Sequence, residues 1–255
     1  MDAAQFRTSS SGKVIRTVRG AYAFVPNPLP PRLLLEPLVG VIADASQRLG
    51  ELAGIGHGLA NPLLVIAPFQ QREAVASSRI EGTSATLADV MSAEAGGRAD
   101  RRPADTREVQ NYVKALAYAV ARLPKLPLSL RLVREIHAIL LGGAGPEGRA
   151  GVSAGAFRRV QNWIGGATPA TARFVPPPVP DMMRALDSFE RYLHARPRLP
   201  IVVDAALMHY QFEAIHPFPD GNGRVGRILI PLFLVMRGAL PAPLLYLSPF
   251  FERNR

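Results

Sequence analysis

A mainly α-helical bundle with one short β-hairpin is what this sequence predicts. Apolar residues recur at helical spacing through most of the chain, caps and glycine stops separate those segments, and strand-like patterning is confined to Val160–Val175.

The opening residues, 1–13, are small and polar and read as a mobile tail. They lead into Ala21–Pro31, where four prolines remove backbone donors and favour an extended arm. From Glu36 to Leu52 the residues Leu38, Val41, Ile42, Ala45, Leu49 and Leu52 keep helical spacing, and the glycine-rich run 54–58 ends that helix. A second helix covers roughly Gln70–Ile80 and stops at Glu81-Gly82, after which Thr86 and Asp89 have the spacing of a capping box for a short third helix. The polar stretch Glu94–Asp105 reads as a linker, giving an arm and helical extension over 1–104 and a main domain over 105–255. Helices follow near 106–122 and 129–141. Val160, Trp163 and Ile164, then Phe174 and Val175, flank 165–171 and read as a hairpin with a long loop. Helices resume at about 180–196, 201–215 and 224–236, and there is no internal repeat.

With 255 residues and 48% hydrophobic composition, the chain is long enough to bury a substantial core. Its apolar run Ile228–Met236 is too short to span a bilayer and contains Pro231, so it reads as a buried helix. No transmembrane segment or secretory signal is expected, and with no cysteine a reducing cytoplasm is the simplest home. The net charge of +10 suggests an anionic partner: a nucleotide, a nucleic acid or an acidic protein surface. Charge alone chooses none of them. It is nearly all arginine, since Lys13, Lys114 and Lys125 are the only lysines, and it is scattered, which bears mainly on solubility.

The densest chemistry lies in His216-Pro-Phe-Pro-Asp-Gly-Asn-Gly-Arg-Val-Gly-Arg227, a loop between two helices. Gly221 and Gly223 permit positive φ and leave backbone N–H groups uncovered, and the loop runs into a helix N-terminus that favours an anion. Arg224 and Arg227, three apart, share a helix face and can both reach phosphate oxygens. Asp220 offers a hard oxygen of the kind Mg²⁺ needs. The imidazole of His216 has the right ordinary pKa to take a proton from an attacking hydroxyl near neutral pH. Phe218, between these polar groups, is expected to anchor the loop in the core.

This segment resembles the Fic family, whose signature H-x-F-x-(D/E)-G-N-G-R-x-x-R it satisfies at every fixed position. Leu29-Pro-Pro31, Glu73–Thr83, the hairpin and Tyr246-Leu-Ser248 are also similar to bacterial members with an N-terminal helical extension. The resemblance implies a Fic-type helical bundle and transfer of AMP from ATP to a Ser, Thr or Tyr hydroxyl of a target protein. It implies His216 as the base, Asp220 as the Mg²⁺ ligand, Gly221, Asn222 and Gly223 as the anion nest, and Arg224 and Arg227 on the phosphates. Relatives usually continue past Tyr246-Leu-Ser248 with further helices, so a chain cut short at its C-terminus is expected.

Ser77 and Glu81, at i and i+4, match the family's inhibitory motif (S/T)-x-x-x-E-(G/N) with Gly82. The resemblance implies that Glu81 pairs with Arg227 and keeps it from the γ-phosphate. A carboxylate at a helix C-terminus opposes the helix dipole and gains from a basic partner. The hairpin resembles the family flap, which would take an extended target segment by strand addition, with Val160, Trp163 and Ile164 as contacts. Structural cover is the alternative role for the hairpin, and packing for Trp163. His209 stands seven before His216, without the spacing of two helical metal ligands, and His57, His137 and His194 belong to no ligand set. Removal of AMP through water positioned by Glu81, and transfer of another nucleotide-derived group, remain alternatives. Self-modification and a homodimer are left open. A non-catalytic nucleic-acid-binding module is the rival from another class, and the intact His216 and Asp220 argue against it.

Overall fold

A computed structural model describes residues 1–18, 20–95, 103–142 and 154–254. Much of the expected linker Glu94–Asp105 lies outside the described residues. The chain forms two compact units, Met1–Gly40 with Phe157–Asn222, and Val41–Ala156 with Gly223–Arg255.

In the first unit the polar start of the chain is not the mobile tail its composition predicts. Asp2 caps a single 3₁₀ turn, Ala3–Phe6, by accepting from the Ala4 N–H at 2.9 Å. Met1 and Ala3 are buried, and the rings of Phe6, Phe24 and Phe174 meet with centroids 5.7–5.9 Å apart. Met1, Ala3 and Phe6 carry no clear periodicity in so short a polar segment, so the sequence pattern conceals an anchor that aromatic packing makes effective. Strand β1 (Gly12–Arg16) forms where the tail was expected to end and β2 (Tyr22–Pro26) in the arm, paired antiparallel with Lys13 opposite Val25 and Ile15 opposite Ala23. Gly12 is required there, because a Cβ would run into the Phe24 ring and the Val25 carbonyl.

The regular ladder therefore pairs the arm with the segment before it, while Val160–Val175 closes only by one bridge. Ile164 N–H donates to Phe174 O at 2.8 Å, and Phe174 N–H returns to Ile164 O at 3.2 Å. Pro176, Pro177 and Pro178 follow and cannot donate, which stops the ladder from lengthening on that side. The next helices, α6 (Val179–His194) and α7 (Ile201–Ile215), pack on each other and on β2. Their apolar faces bury Met182, Leu186, Phe189 and Leu193 against Met208, Phe212 and Ile215.

The second unit is helical. Helix α1 (Val39–Gly58) continues through the glycine run expected to end it, and α2 (Pro62–Ile80) begins well before Gln70. Pro62 occupies the first turn, where a missing N–H costs nothing and a fixed φ helps. Helix α3 (Leu87–Glu94) has the expected capping box: Thr86 Oγ1 accepts from Asp89 N at 3.2 Å, and Asp89 Oδ2 accepts from Thr86 N at 2.8 Å. Helices α4 (Pro103–Arg122) and α5 (Leu130–Leu140) form an antiparallel pair, and α2 lies against α4 and the short C-terminal α9 (Ser248–Arg253). Helix α8 (Asn222–Met236) buries Ile228, Leu229, Leu232 and Phe233 completely, as its apolar run predicts. At about 1.5–3 kcal/mol per buried large side chain, these contacts fix α8 far more firmly than helix propensity would. No described helix is long and apolar enough to cross a membrane.

Candidate active site

The signature segment begins in the first unit. His216 ends α7 in the left-handed region, φ 48° and ψ 61°, the one non-glycine residue with positive φ among the described residues. Its N–H still bonds Phe212 O at 3.0 Å, which closes the last helical turn. Phe218 is fully buried between the rings of Phe157 and Phe212, at centroid distances of 5.2 and 6.5 Å. Asn222 closes the loop on itself. Its Oδ1 accepts from Phe218 N and its Nδ2 donates to Phe218 O, both at 2.8 Å. The Asn222 side chain is thus engaged within the loop, leaving its backbone at the helix start as the group that can face an anion. Asp220 Oδ1 accepts from Gly221 N at 2.6 Å, and Gly221 takes φ +78° immediately before α8.

Asn222 is bonded to Gly223, where the second unit takes up the segment. Arg227, 7% exposed, is held by Ser77 of α2 and by its C-cap Glu81. Its Nε donates to Ser77 Oγ at 2.8 Å, and its Nη2 donates to Ser77 O at 2.9 Å and to Glu81 Oε1 at 2.7 Å. Glu81 caps α2, and Gly82, at φ +99°, turns the chain away while Ser78 O accepts from both the N–H and the hydroxyl of Thr83. A Cβ on Gly223 would collide with the Glu81 carboxylate, so the glycine lets that carboxylate lie against the first turn of α8. Arg224, 2% exposed, gives Nη1 to Glu108 Oε2 of α4 at 2.8 Å. Both arginines of the signature are therefore paired with carboxylates. Glu108 had no sequence signal: it is one acidic residue on a helix rich in charge.

Behind Arg227 lies a buried polar cluster that the sequence did not announce. Glu73 of α2, 2% exposed, accepts from Ser248 N at 2.9 Å, from Ser248 Oγ at 2.5 Å and from Tyr112 Oη at 3.2 Å. Burial pushes the Glu73 carboxyl above its ordinary range, against the pull of those three donors and of the Arg227 charge. Tyr112 is fully buried, and burial, reinforced by the Glu73 charge, pushes its hydroxyl well up. Glu73 and Ser248 are both within segments already singled out in the sequence, but their contact joins residues 175 positions apart.

Val160, Trp163 and Ile164 lie on the exposed bridge segment, at 71%, 40% and 36% exposure. Trp163 Nε1 donates to Gly166 O at 3.0 Å, which gives its polar edge an internal partner and leaves part of the ring open. Ser77, Glu81, Gly223, Arg224 and Arg227 come together in the second unit, and His216, Phe218, Asp220, Gly221 and Asn222 in the first.

Among the described residues no group of three or more His, Cys, Asp or Glu is arranged to hold a metal ion. Mg²⁺ commonly takes only one or two protein carboxylates together with phosphate oxygens and water. Asp220, fixed by its bond to Gly221 at the foot of α8, fits that single-carboxylate requirement.

Comparison with known proteins gives consistent matches. Residues 39–121 match the model of the Fic/DOC family N-terminal region, and residues 127–234 match that of the Fic/DOC family. Protein adenylyltransferase Fic of Drosophila grimshawi is 35% identical over 167 residues, covering 64% of this chain and 32% of its own. The protein of the same name from Drosophila yakuba is 34% identical over 181 residues, covering 69% and 33%. The chain thus spans about a third of the length of these relatives. A solved Fic family protein from Desulfovibrio desulfuricans G20 shares the fold, with a TM-score of 0.64 at 24% identity over 88% of this chain and 65% of its own.

Proposed function

The chain belongs to the Fic/DOC family, and on that premise we propose that it is an auto-inhibited protein adenylyltransferase, moving AMP from ATP to a Ser, Thr or Tyr hydroxyl of a target protein. The loop His216–Arg227 carries this proposal. It holds a base, a hard carboxylate and a positive-φ glycine at a helix start, followed by two buried arginines within one turn. The relatives named Protein adenylyltransferase Fic support the same chemistry.

His216 takes the proton of the attacking hydroxyl, whose oxygen forms a bond to the α-phosphorus of ATP. The bond from that phosphorus to the bridging oxygen breaks, and pyrophosphate leaves. General-base action of this kind contributes about 10²–10⁴-fold. The N–H groups at the start of α8 and the guanidinium groups of Arg224 and Arg227 hold phosphate oxygens, and their fixed charges offset the charge that develops in transfer. Asp220 would hold Mg²⁺, which supplies further charge neutralisation on the phosphates when bound. Val160, Trp163 and Ile164 offer the target exposed side chains, with Ile164 on the one bridged pair of the flap.

Glu81 is the brake. While its carboxylate and Ser77 occupy Arg227, that guanidinium is unavailable to the γ-phosphate and ATP settles unproductively. The extension up to residue 104 would carry the brake, and residues from 105 onward the catalytic core. The test is incorporation of labelled AMP from α-labelled ATP with Mg²⁺ by wild type, Glu81→Gly and Glu81→Gly/His216→Ala. Labelling of self or target only in Glu81→Gly supports an inhibited transferase. Equal labelling by wild type would remove the brake, and labelling that survives loss of His216 would remove the assigned base. Loss of AMP from a modified target in wild type but not Glu81→Gly would reassign Glu81 to hydrolysis.

A further inference from the structure

Three consecutive carbonyls of the loop are taken by donors from the segment leading into the flap. Arg158 Nε donates to His216 O at 3.0 Å, Arg158 N–H to Pro217 O at 2.9 Å, and Asn162 Nδ2 to Phe218 O at 3.2 Å. The same guanidinium reaches both limbs of the flap, donating through Nη1 to Val160 O at 3.3 Å and through Nη2 to Pro177 O at 2.5 Å. Arg158 is 2% exposed. Burial lowers its pKa to about 10, so it stays charged at neutral pH and its bonds are charge-assisted.

These bonds fall where the backbone needs them. A non-glycine residue in the left-handed region costs on the order of 1–2 kcal/mol, and a residue preceding proline is pushed toward extended backbone. His216 meets both objections, standing at φ 48° immediately before Pro217. Such a conformation persists only where its surroundings over-determine it. The helix bond from His216 N to Phe212 O fixes one side of the residue, and the Arg158 guanidinium fixes the carbonyl on the other.

We propose that Arg158 is a positioning residue for His216, holding the left-handed turn that aims the imidazole and tying it to both limbs of the flap. The catalytic consequence rests on His216 being the base, whereas the positional claim does not. A misplacement of about 1 Å at a reacting group can cost about 10²-fold in rate. Lysine is a poor substitute, because one ammonium on a flexible stem cannot reach three diverging carbonyls as a planar guanidinium does.

The experiment uses the full chain. Ring carbon–proton NMR signals of the five histidines are recorded across pH for wild type, Arg158→Met and Arg158→Lys, the His216 signal being assigned by its loss in His216→Gln. The expected result is one sharp His216 signal in wild type, and in both variants a shifted or broadened one while the His57 and His194 signals hold still. In the Glu81→Gly background, AMP transfer should fall about 10²-fold in kcat for Arg158→Met, with KM for ATP changed less than twofold. If Arg158→Met does not fold, Arg158→Lys is read by the same signals. An unmoved His216 signal with an unchanged titration in a folded variant overturns the proposal. If Glu81→Gly itself transfers no AMP, the adenylyltransferase reading fails, and the NMR comparison still decides the role of Arg158.

Discussion

Arg227 and Glu81 stand 146 residues apart in sequence, yet Arg227 Nη2 lies 2.7 Å from Glu81 Oε1. The pair is asymmetric in exposure, with side-chain values of 8% for the arginine and 37% for the glutamate. The arginine therefore depends on α2 to satisfy its buried donors, whereas the glutamate can turn toward water at little cost. A contact of this kind opens by movement of the acid and leaves the base in place. Ser77 keeps Arg227 on station either way, through its hydroxyl and its carbonyl.

Charge and bulk at position 81 are separable. Glu81→Gln keeps a hydrogen-bond acceptor but loses the ionic attraction, worth about 1 kcal/mol at this exposure. Labelling by AMP should then rise about fivefold over wild type, and Glu81→Gly should exceed it. Glu81→Gln as silent as wild type would show that bulk beside Gly223 is the inhibitory element.

Arg224 gives a second handle on the proposed nucleotide binding. Its buried guanidinium is held by Glu108, itself about one third exposed, so under that proposal a phosphate has to share or displace the carboxylate. Glu108→Gln leaves an acceptor for the arginine and removes a negative charge near the start of α8. Calorimetric titration with ATP and Mg²⁺ should show about three- to fivefold tighter binding, in keeping with roughly 1 kcal/mol from a partly exposed pair. Weaker binding would mean that Glu108 orients Arg224 instead of competing for it.

The helical fold was legible because it rests on local information. Thr86 and Asp89 announce the start of α3, Gly82 the stop of α2, and Ile228 to Leu234 the buried α8. The candidate loop stood out for the same reason, since its residues are contiguous in sequence. What escaped depends on distant partners. Phe6 orders the first residues through Phe24 and Phe174, the ladder pairs the arm with the segment before it, and three prolines end the flap bridge. Arg158, Glu108 and Glu73 were three charges among fifty acidic and basic side chains. Only the folded chain brings Arg158 to the His216 carbonyl, Glu108 to Arg224, and Glu73 to Ser248.

Glu73 should make stability pH-dependent in a defined direction. Burial raises its folded pKa above the ordinary carboxyl value, so the folded state favours the protonated form. The stability linked to that preference is complete below the unfolded pKa and is lost as pH rises through the folded one. Glu73→Gln has no such loss, and its amide can accept from Ser248 N while donating to the Tyr112 or Ser248 oxygen. The Tm of Glu73→Gln minus that of wild type should therefore climb as pH is raised from 4.5. A flat or falling difference would show that the three donors and Arg227 outweigh burial.

Phe218 separates anchoring from chemistry. The ring is fully buried between Phe157 and Phe212, and its own N–H and carbonyl are both bonded to the Asn222 side chain. Phe218→Ala should cost about 3–5 kcal/mol, the usual penalty for deleting a buried aromatic ring. At about 2–4 °C per kcal/mol for a chain of this size, Tm should fall by roughly 6–20 °C. Phe218→Leu fills more of the space and should stay folded at assay temperature, yet it loses the two ring contacts that fix the loop between His216 and Asp220. In the Glu81→Gly background, AMP transfer by Phe218→Leu should drop at least about tenfold while the protein remains folded by circular dichroism. Transfer at the parental rate would mean that the Asn222 bonds alone set the loop.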